Sequence, residues 1–163
     1  MLARRLFDPG HTESNVPEVA GLGLLDMDVT FTPEKLTRQS KAEICAGGGW
    51  LSPLNGTILD GYEIHAGRNR FGADCKPWLT IDGRVDGVMN EEGNVLGSYL
   101  HGLFDDGNFF GALASHVRKR EGREDTSARP MTLDEFRERE FDRIADIVRA
   151  SVDMDKIYQI IRE

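Results

Sequence analysis

Apolar residues follow two different periods along this chain, and the change falls just after residue 101. Met27, Val29 and Phe31 alternate with polar neighbours, as a half-buried strand requires when successive side chains point to opposite faces. Ile58, Tyr62 and Ile64 lie in a second extended run, with Asp60-Gly61 predicted as a bend. Trp78, Leu79 and Ile81 predict a short strand closed by Asp82-Gly83. Residues 84–89 and 95–100 flank a polar stretch at 90–94 and predict a hairpin with a long loop. Gly47-Gly48-Gly49 and Pro53-Leu54-Asn55-Gly56 are turn clusters. The opening stretch through Leu6 is apolar and basic without a cap, which predicts the end of a helix already under way. Residues 8–18 then read as loop.

Beyond residue 101 the spacing becomes helical. Asp105-Asp106-Gly107-Asn108 is positioned to cap a helix whose apolar side carries Phe109, Leu113 and Val117. A charged linker over residues 118–129 precedes Pro130. Thr132 and Glu135 sit at capping-box spacing. The helix they open carries Leu133, Phe136, Phe141, Ile144, Ile147 and Val148 near a 3.6-residue period, with charges between. Asp153 is placed to cap a last turn bearing Ile157 and Ile161. Strands first and helices last, without regular alternation, predict an α+β arrangement from the pattern alone. There is no internal repeat and no low-complexity segment.

Composition narrows the class. At 163 residues the chain fits one domain with a real core, and 39% hydrophobic with 29% charged residues is a globular composition. The net charge of −8 argues against nonspecific nucleic-acid binding, which needs a basic surface to displace phosphate counterions. No stretch approaches the roughly 20 apolar residues of a membrane helix, and Arg4 and Arg5 interrupt the only apolar start, so a cytoplasmic protein without membrane contact is expected. In that setting Asn55-Gly56-Thr57 reads as a turn and not as a glycosylation site.

Two stretches could carry chemistry. The run from Gly93-Asn94-Val95-Leu96 through Gly97-Ser98-Tyr99-Leu100 delivers His101 to a strand end, before Gly102 and a helix start. Ligand and catalytic groups gather at such strand ends, and an imidazole there can serve as general base because it titrates near neutral pH. A histidine that simply closes a strand fits the same pattern. In Gly61-Tyr62-Glu63-Ile64-His65-Ala66-Gly67-Arg68, Glu63 and His65 share a strand face at period two. They could converge on a pocket, but the pattern by itself favours an exposed polar face opposite Tyr62 and Ile64.

Gly61-Tyr62-Glu63-Ile64-His65, Arg68 and the stretch from Gly97 to Phe104 closely resemble the amidotransferase domain of the cobyric acid synthase family. Gly21-Leu22-Gly23-Leu24-Leu25 resembles the segment opening that domain's second half, and Glu140-Phe141-Asp142-Arg143-Ile144-Ala145-Asp146 its closing helix. The resemblance covers essentially the whole of residues 1–163, with several separate motifs in order. It implies an α/β, class I (triad-type) glutamine amidotransferase fold, flavodoxin-like and three-layered. The chain would be an incomplete carboxy-terminal part with added antiparallel strands and carboxy-terminal helices. In such domains a cysteine on a strand-to-helix elbow attacks the glutamine carboxamide, and a histidine takes its proton and passes it to the departing ammonia. The resemblance puts that histidine at His101, and Tyr62, Glu63, His65 and Arg68 are candidates for binding substrate. The ammonia would amidate carboxylates of adenosylcobyrinic acid a,c-diamide, a corrinoid, in cobalamin biosynthesis. ATP and Mg would be used by a synthetase domain outside this chain, and none is expected to be bound here.

The sequence departs from the family pattern in two ways. Met1-Leu2 resembles the pair that follows the nucleophile elbow, so the cysteine is expected outside these residues and the isolated chain inactive. Neither Cys45 nor Cys75 replaces it, because an elbow wants small residues on both sides and a helix behind it. Cys45 follows Glu43 and Ile44 and precedes a glycine run. Cys75 sits between Asp74 and Lys76, and Lys76 could lower its pKa. The second departure is Leu103, which stands where many triad glutaminases place a glutamate that orients the histidine. The family resembled here does without that glutamate, which leaves the residue orienting His101 open. Cobyrinic acid a,c-diamide synthase-like domains are an alternative, but their second histidine shortly after the first is absent from His101-Gly102-Leu103-Phe104. A noncatalytic module pairing with a separate chain is the other alternative. Gly47-Gly48-Gly49 lacks the Gly-Lys-Ser/Thr of a phosphate loop, and the four histidines show no zinc spacing with the two cysteines.

Overall fold

A computed structural model describes residues 1–123 and 131–162. The strands come first. β1 (Arg5–Phe7), β2 (Glu18–Ala20), β3 (Met27–Ile44), β4 (Ile58–Phe71), β5 (Lys76–Ile81), β6 (Arg84–Met89), β7 (Leu96–Gly97) and β8 (Leu100–His101) form one eight-stranded sheet. The helices α1 (Gly107–Arg120), α2 (Leu133–Ser151) and α3 (Met154–Arg162) follow, giving a mixed α/β architecture with carboxy-terminal helices.

The long hairpin of β3 and β4 is the frame. Its register runs from Met27↔Phe71 to Glu43↔Ile58, with an irregularity between Phe31↔Gly67 and Leu36↔His65. Pro33 lies inside that irregular stretch, where its missing N–H costs the ladder nothing. The predicted bend at Asp60-Gly61 does not occur. Gly61 pairs with Ser40 in unbroken strand, and glycine is needed there for a different reason. A Cβ on Gly61 would lie 2.3 Å from the His101 carbonyl oxygen, so only glycine lets β8 lie against β4.

The first residues also differ from expectation. Residues 5–7 form a strand, not a helix end, and β1 pairs in parallel with β3 at Leu6↔Val29. Leu2 and Leu6 satisfy a helical spacing, but their apolar surface is spent on the sheet, where they pack on a core of Ala3, Leu25, Met27, Val29 and Val88. Arg4 and Arg5 are held by Asp26 (2.7 Å) and Asp28 (3.5 Å). This is the one parallel pair among the described strands; the other pairings are antiparallel. The loop that follows winds around the buried Asp8 carboxylate, which accepts N–H bonds from Thr12, Glu13 and Ser14. Burial pushes that carboxyl up, yet the three N–H donors hold it below the usual range.

Several local expectations are met, but the predicted strand over residues 95–100 divides: Leu96–Gly97 pairs with β6, and Leu100–His101 pairs with β4. Asp82 (φ 52°) and Gly83 (φ 71°) make the two-residue turn of the β5–β6 hairpin, both in the left-handed region that a type I′ turn demands. Asn90 holds the long β6–β7 loop, its side-chain oxygen accepting from the N–H groups of Asn94 and Val95. The Asp106 carboxylate caps α1 by accepting from Phe109 N at 2.8 Å, and Thr132 and Glu135 complete the capping box of α2. Asp153 Oδ1 accepts from Lys156 N at the start of α3. Of the charged linker, residues 124–129, like Pro130, lie outside the described residues, and residues 118–120 belong to α1.

The larger core lies where α1 and the 3-10 helix Gly49–Leu54 cover the sheet. Trp78 is its largest member, fully buried beside Phe109 at 5.8 Å between ring centroids. Leu100 contributes to this core from β8, so the strand that ends in His101 is anchored by its own neighbour. α2 and α3, by contrast, bury none of their residues. No described helix is long and apolar enough to cross a membrane.

Candidate functional site

His101 is the last residue of β8, with Gly102 (φ 90°) turning the chain into the loop before α1. Leu100 points into the core, so by strand alternation His101 points away from it, and its side chain is exposed. It pairs with Tyr62 across the β4–β8 ladder. The two rings lie face to face, 5.0 Å between centroids and 6° from parallel. Tyr62 is itself exposed at 45%. A shallow cavity of about 500 Å³ opens beside this pair, lined by Ser40, Lys41, Asp60, Tyr62, Asp105 and Asp134 among others.

Glu63 and His65 do share a face, as alternation predicts, but it is the buried face. Tyr62 and Ile64 are the exposed side of β4, the reverse of what the pattern favours. The inversion has a chemical cause. Glu63 is fully buried, and donors supplied by neighbouring strands replace its water. Arg38 Nε (2.8 Å) and Ser40 Oγ (2.6 Å) from β3 donate to one oxygen, and Arg84 Nη2 from β6 donates to the other at 3.1 Å. Burial alone would raise the carboxyl's pKa; the bonds from Ser40, Arg38 and Arg84 and the Arg38 charge outweigh it and bring it to about 2. Arg38 is in turn shared with Asp82 at 2.9 Å. Sequence reading singled out none of Arg38, Ser40 and Arg84. Their only signal is that Arg38 lies directly opposite Glu63, which becomes visible once the register is known.

His65 lies next to this cluster, its side chain 6% exposed. Its Nδ1 donates to the Gly67 carbonyl at 3.0 Å, Nε2 faces Glu63 at 3.5 Å, and the ring stacks on Tyr99 at 4.0 Å. The Tyr99 hydroxyl donates to Asn69, and burial pushes it up to about 12. Asp86, also buried, accepts from Ser98 Oγ and Tyr99 N through one oxygen, and its other oxygen has no partner. Glu63, His65 and Asp86 bring ligand-type atoms within 4.8 Å of one another. A cation fits poorly there, because both Glu63 oxygens are already occupied by guanidinium and hydroxyl donors whose two positive charges would repel it. Arg68 faces Glu34 at 3.6 Å and lines one cavity with His65, Arg84, Asp86 and Tyr99.

The cysteines are elsewhere. Cys45 follows the end of β3, and its N–H bonds to Trp78 O. Cys75 donates its thiol to the Asp26 carbonyl at 3.1 Å. Burial pushes both thiols up, and for Cys75 the Asp26 charge adds to the effect. The lowering that Lys76 could have produced at Cys75 does not occur: Lys76 turns to Glu91. Both therefore have the character of inert thiols and not of activated nucleophiles.

Comparison with known proteins adds a family. A model of the CobB/CobQ-like glutamine amidotransferase domain matches residues 1–109, a span that includes β8 and His101. The chain is 41% identical to the cobyric acid synthase of Dehalococcoides mccartyi strain BAV1, over 100% of this chain and 33% of that protein. It is 40% identical to the cobyric acid synthase of Thermoanaerobacter sp. strain X514, over 99% and 33% respectively. With that of Alkaliphilus metalliredigens it shares 38% identity, over 99% and 34%. The chain thus spans about a third of the length of these curated relatives. Among solved structures, PurLQS from Thermotoga maritima is similar at 18% identity and a TM-score of 0.48, covering 61% of this chain and 55% of that one.

Proposed function

The chain belongs to the CobB/CobQ-like glutamine amidotransferase domain family, and we propose that it supplies the general base of glutamine hydrolysis, His101, to a cobyric acid synthase. The observation that carries this reading is the placement of His101: a strand end, an exposed imidazole, and a position inside the matched span.

The chemistry asked of it is a proton relay. A cysteine thiol gives its proton to the His101 imidazole as sulfur attacks the side-chain carboxamide carbon of glutamine. The imidazolium then returns that proton to the leaving nitrogen as the C–N bond breaks, releasing ammonia and leaving a thioester. Water, deprotonated by the same imidazole, attacks the thioester and releases glutamate and the free thiol. Cys45 and Cys75, half-buried and raised in pKa, are assigned no part in this, so the nucleophile is expected from polypeptide outside residues 1–163. Glu63 acts as an anchor that locks β4 to β3 and β6 behind His101, not as a group that touches substrate.

The amidation that would consume the ammonia, on a corrinoid carboxylate in a cytoplasmic setting, belongs to the same proposal, supported by the names of the relatives. ATP and magnesium enter no step performed by these residues. Gly47-Gly48-Gly49 leads into the 3-10 helix with no lysine to hold phosphate, and the Glu63–His65–Asp86 group does not suit a cation.

Two measurements test the reading. In a synthase containing this domain, His101→Ala should abolish glutamine-dependent amidation by at least ~100-fold while sparing amidation from added ammonia. Loss of both would make His101 structural. The isolated chain, treated with a glutamine-mimicking electrophile, should show no adduct that glutamine protects; a protected adduct on Cys45 or Cys75 would place the nucleophile inside this chain.

A further inference from the structure

A general base works only if its ring is held in a productive orientation, and in this chain the usual means is missing. Leu103, two residues after His101, packs partly buried against the larger core and offers no acceptor. Asp105 is bonded through its main chain to Gly102 and Leu133, and among the described residues none hydrogen-bonds to the His101 imidazole. What the ring does have is the face of Tyr62, 5.0 Å away and 6° from parallel.

We infer that Tyr62 is the positioning residue for His101, holding the imidazole by stacking instead of by a hydrogen bond; this rests on the reading of His101 as the general base. Three features make the stack a defined one. Tyr62 and His101 are direct cross-strand partners, so their Cβ atoms are set side by side by the ladder. The close approach at Gly61, with no room for a side chain, fixes the His101 backbone against β4. Glu63, adjacent to Tyr62, is locked to Arg38, Ser40 and Arg84, which leaves β4 little freedom to slide.

The arrangement has a chemical consequence. A carboxylate partner occupies one ring nitrogen, whereas a stacked ring leaves both nitrogens available. The electron-rich face of a phenol also favours a cation above it, so Tyr62 stabilises the imidazolium that forms when the thiol proton is taken. Removing the ring should therefore loosen the orientation of the base.

The test uses a synthase containing this domain, with Tyr62→Leu, Tyr62→Phe and His101→Ala compared for glutamine hydrolysis and for amidation from ammonia. Tyr62→Leu should lower kcat for glutamine roughly tenfold with KM little changed, and leave the ammonia reaction intact. Tyr62→Phe, which keeps the stack, should stay within about twofold of the parent. The isolated chain provides a readout independent of turnover: the His101 ring protons should show upfield ring-current shifts that persist in Tyr62→Phe and vanish in Tyr62→Leu. Unshifted His101 protons in the parent chain overturn the proposal, even if Tyr62→Leu fails to fold. So does parental kcat in Tyr62→Leu when His101→Ala is inactive, an outcome that leaves the base itself standing. Retention of glutamine hydrolysis by His101→Ala would instead remove the base and the positioning role together.

Discussion

Glu63 shows how much one buried charge can organise. It takes hydrogen bonds from two strands other than its own, and its folded-state pKa lies near 2 against an ordinary value of 4.5. A depressed carboxyl contributes stability that is fully present above the unfolded value and is lost as pH falls through the folded one. The chain should therefore lose stability between about pH 4.5 and 2, and Glu63→Gln should flatten that part of the profile. At pH 7 the same substitution should cost about 3 kcal/mol, because Arg38 and Arg84 keep their charges while the amide offers them a poorer acceptor. Urea titrations of both proteins at pH 7, 5 and 3 read both effects; equal slopes against pH would mean that Glu63 is not the group titrating. The sequence made Glu63 and His65 legible as neighbours on one face but pointed that face the wrong way. A glutamate on a strand looks solvent-exposed until its donors are counted, and Arg38, Ser40 and Arg84 are 21 to 25 residues away along the chain. The place of His101 at a strand end was legible because the apolar run before it and the glycine after it are both local signals.

At the level of elements, local rules read well where an end is marked by its own chemistry and poorly where an element is defined by its partner. The caps of α1, α2 and α3 and the Asp82-Gly83 turn could all be placed from adjacent residues. β1 could not, since three residues become a strand only because β3 and β2 lie beside them. Gly61 misled for the same reason: glycine signals a bend locally, whereas here it admits another strand. Gly61→Ala is therefore expected to behave unlike a surface strand substitution. Its methyl would sit 2.3 Å from a backbone oxygen that cannot rotate away, so β8 must separate from β4 at a cost of about 1–3 kcal/mol. Hydrogen exchange should show loss of protection at β8 and its partners in β4 while the β5–β6 hairpin stays protected. Unchanged protection at residues 100 and 101 would show that the ladder absorbs the methyl.

For the molecule as a whole, the distribution of apolar surface sets the expectation. The sheet, α1 and the 3-10 helix bury the Trp78 core well, but α2 and α3 leave Phe141, Ile144, Ile147, Ile160 and Ile161 more than half exposed. On α2 these residues form one stripe with Phe136 and Val148, and charged residues fill the rest of the helix, as in a surface helix that covers a core. Here none of the helix is buried. A stripe of this kind, larger than the scattered apolar residues of ordinary surfaces, drives association. Purified alone, the chain should sediment as a monomer only at low concentration and shift to larger species as concentration rises. Ile144→Glu with Ile147→Glu should restore a monomer while leaving the helical circular dichroism intact, since both positions tolerate glutamate in a helix and the capping box is untouched. A parent chain that stays monomeric at high concentration would mean that the stripe is covered by residues of the chain itself. Association abolished by the double substitution would identify the stripe as the surface through which copies of the chain meet.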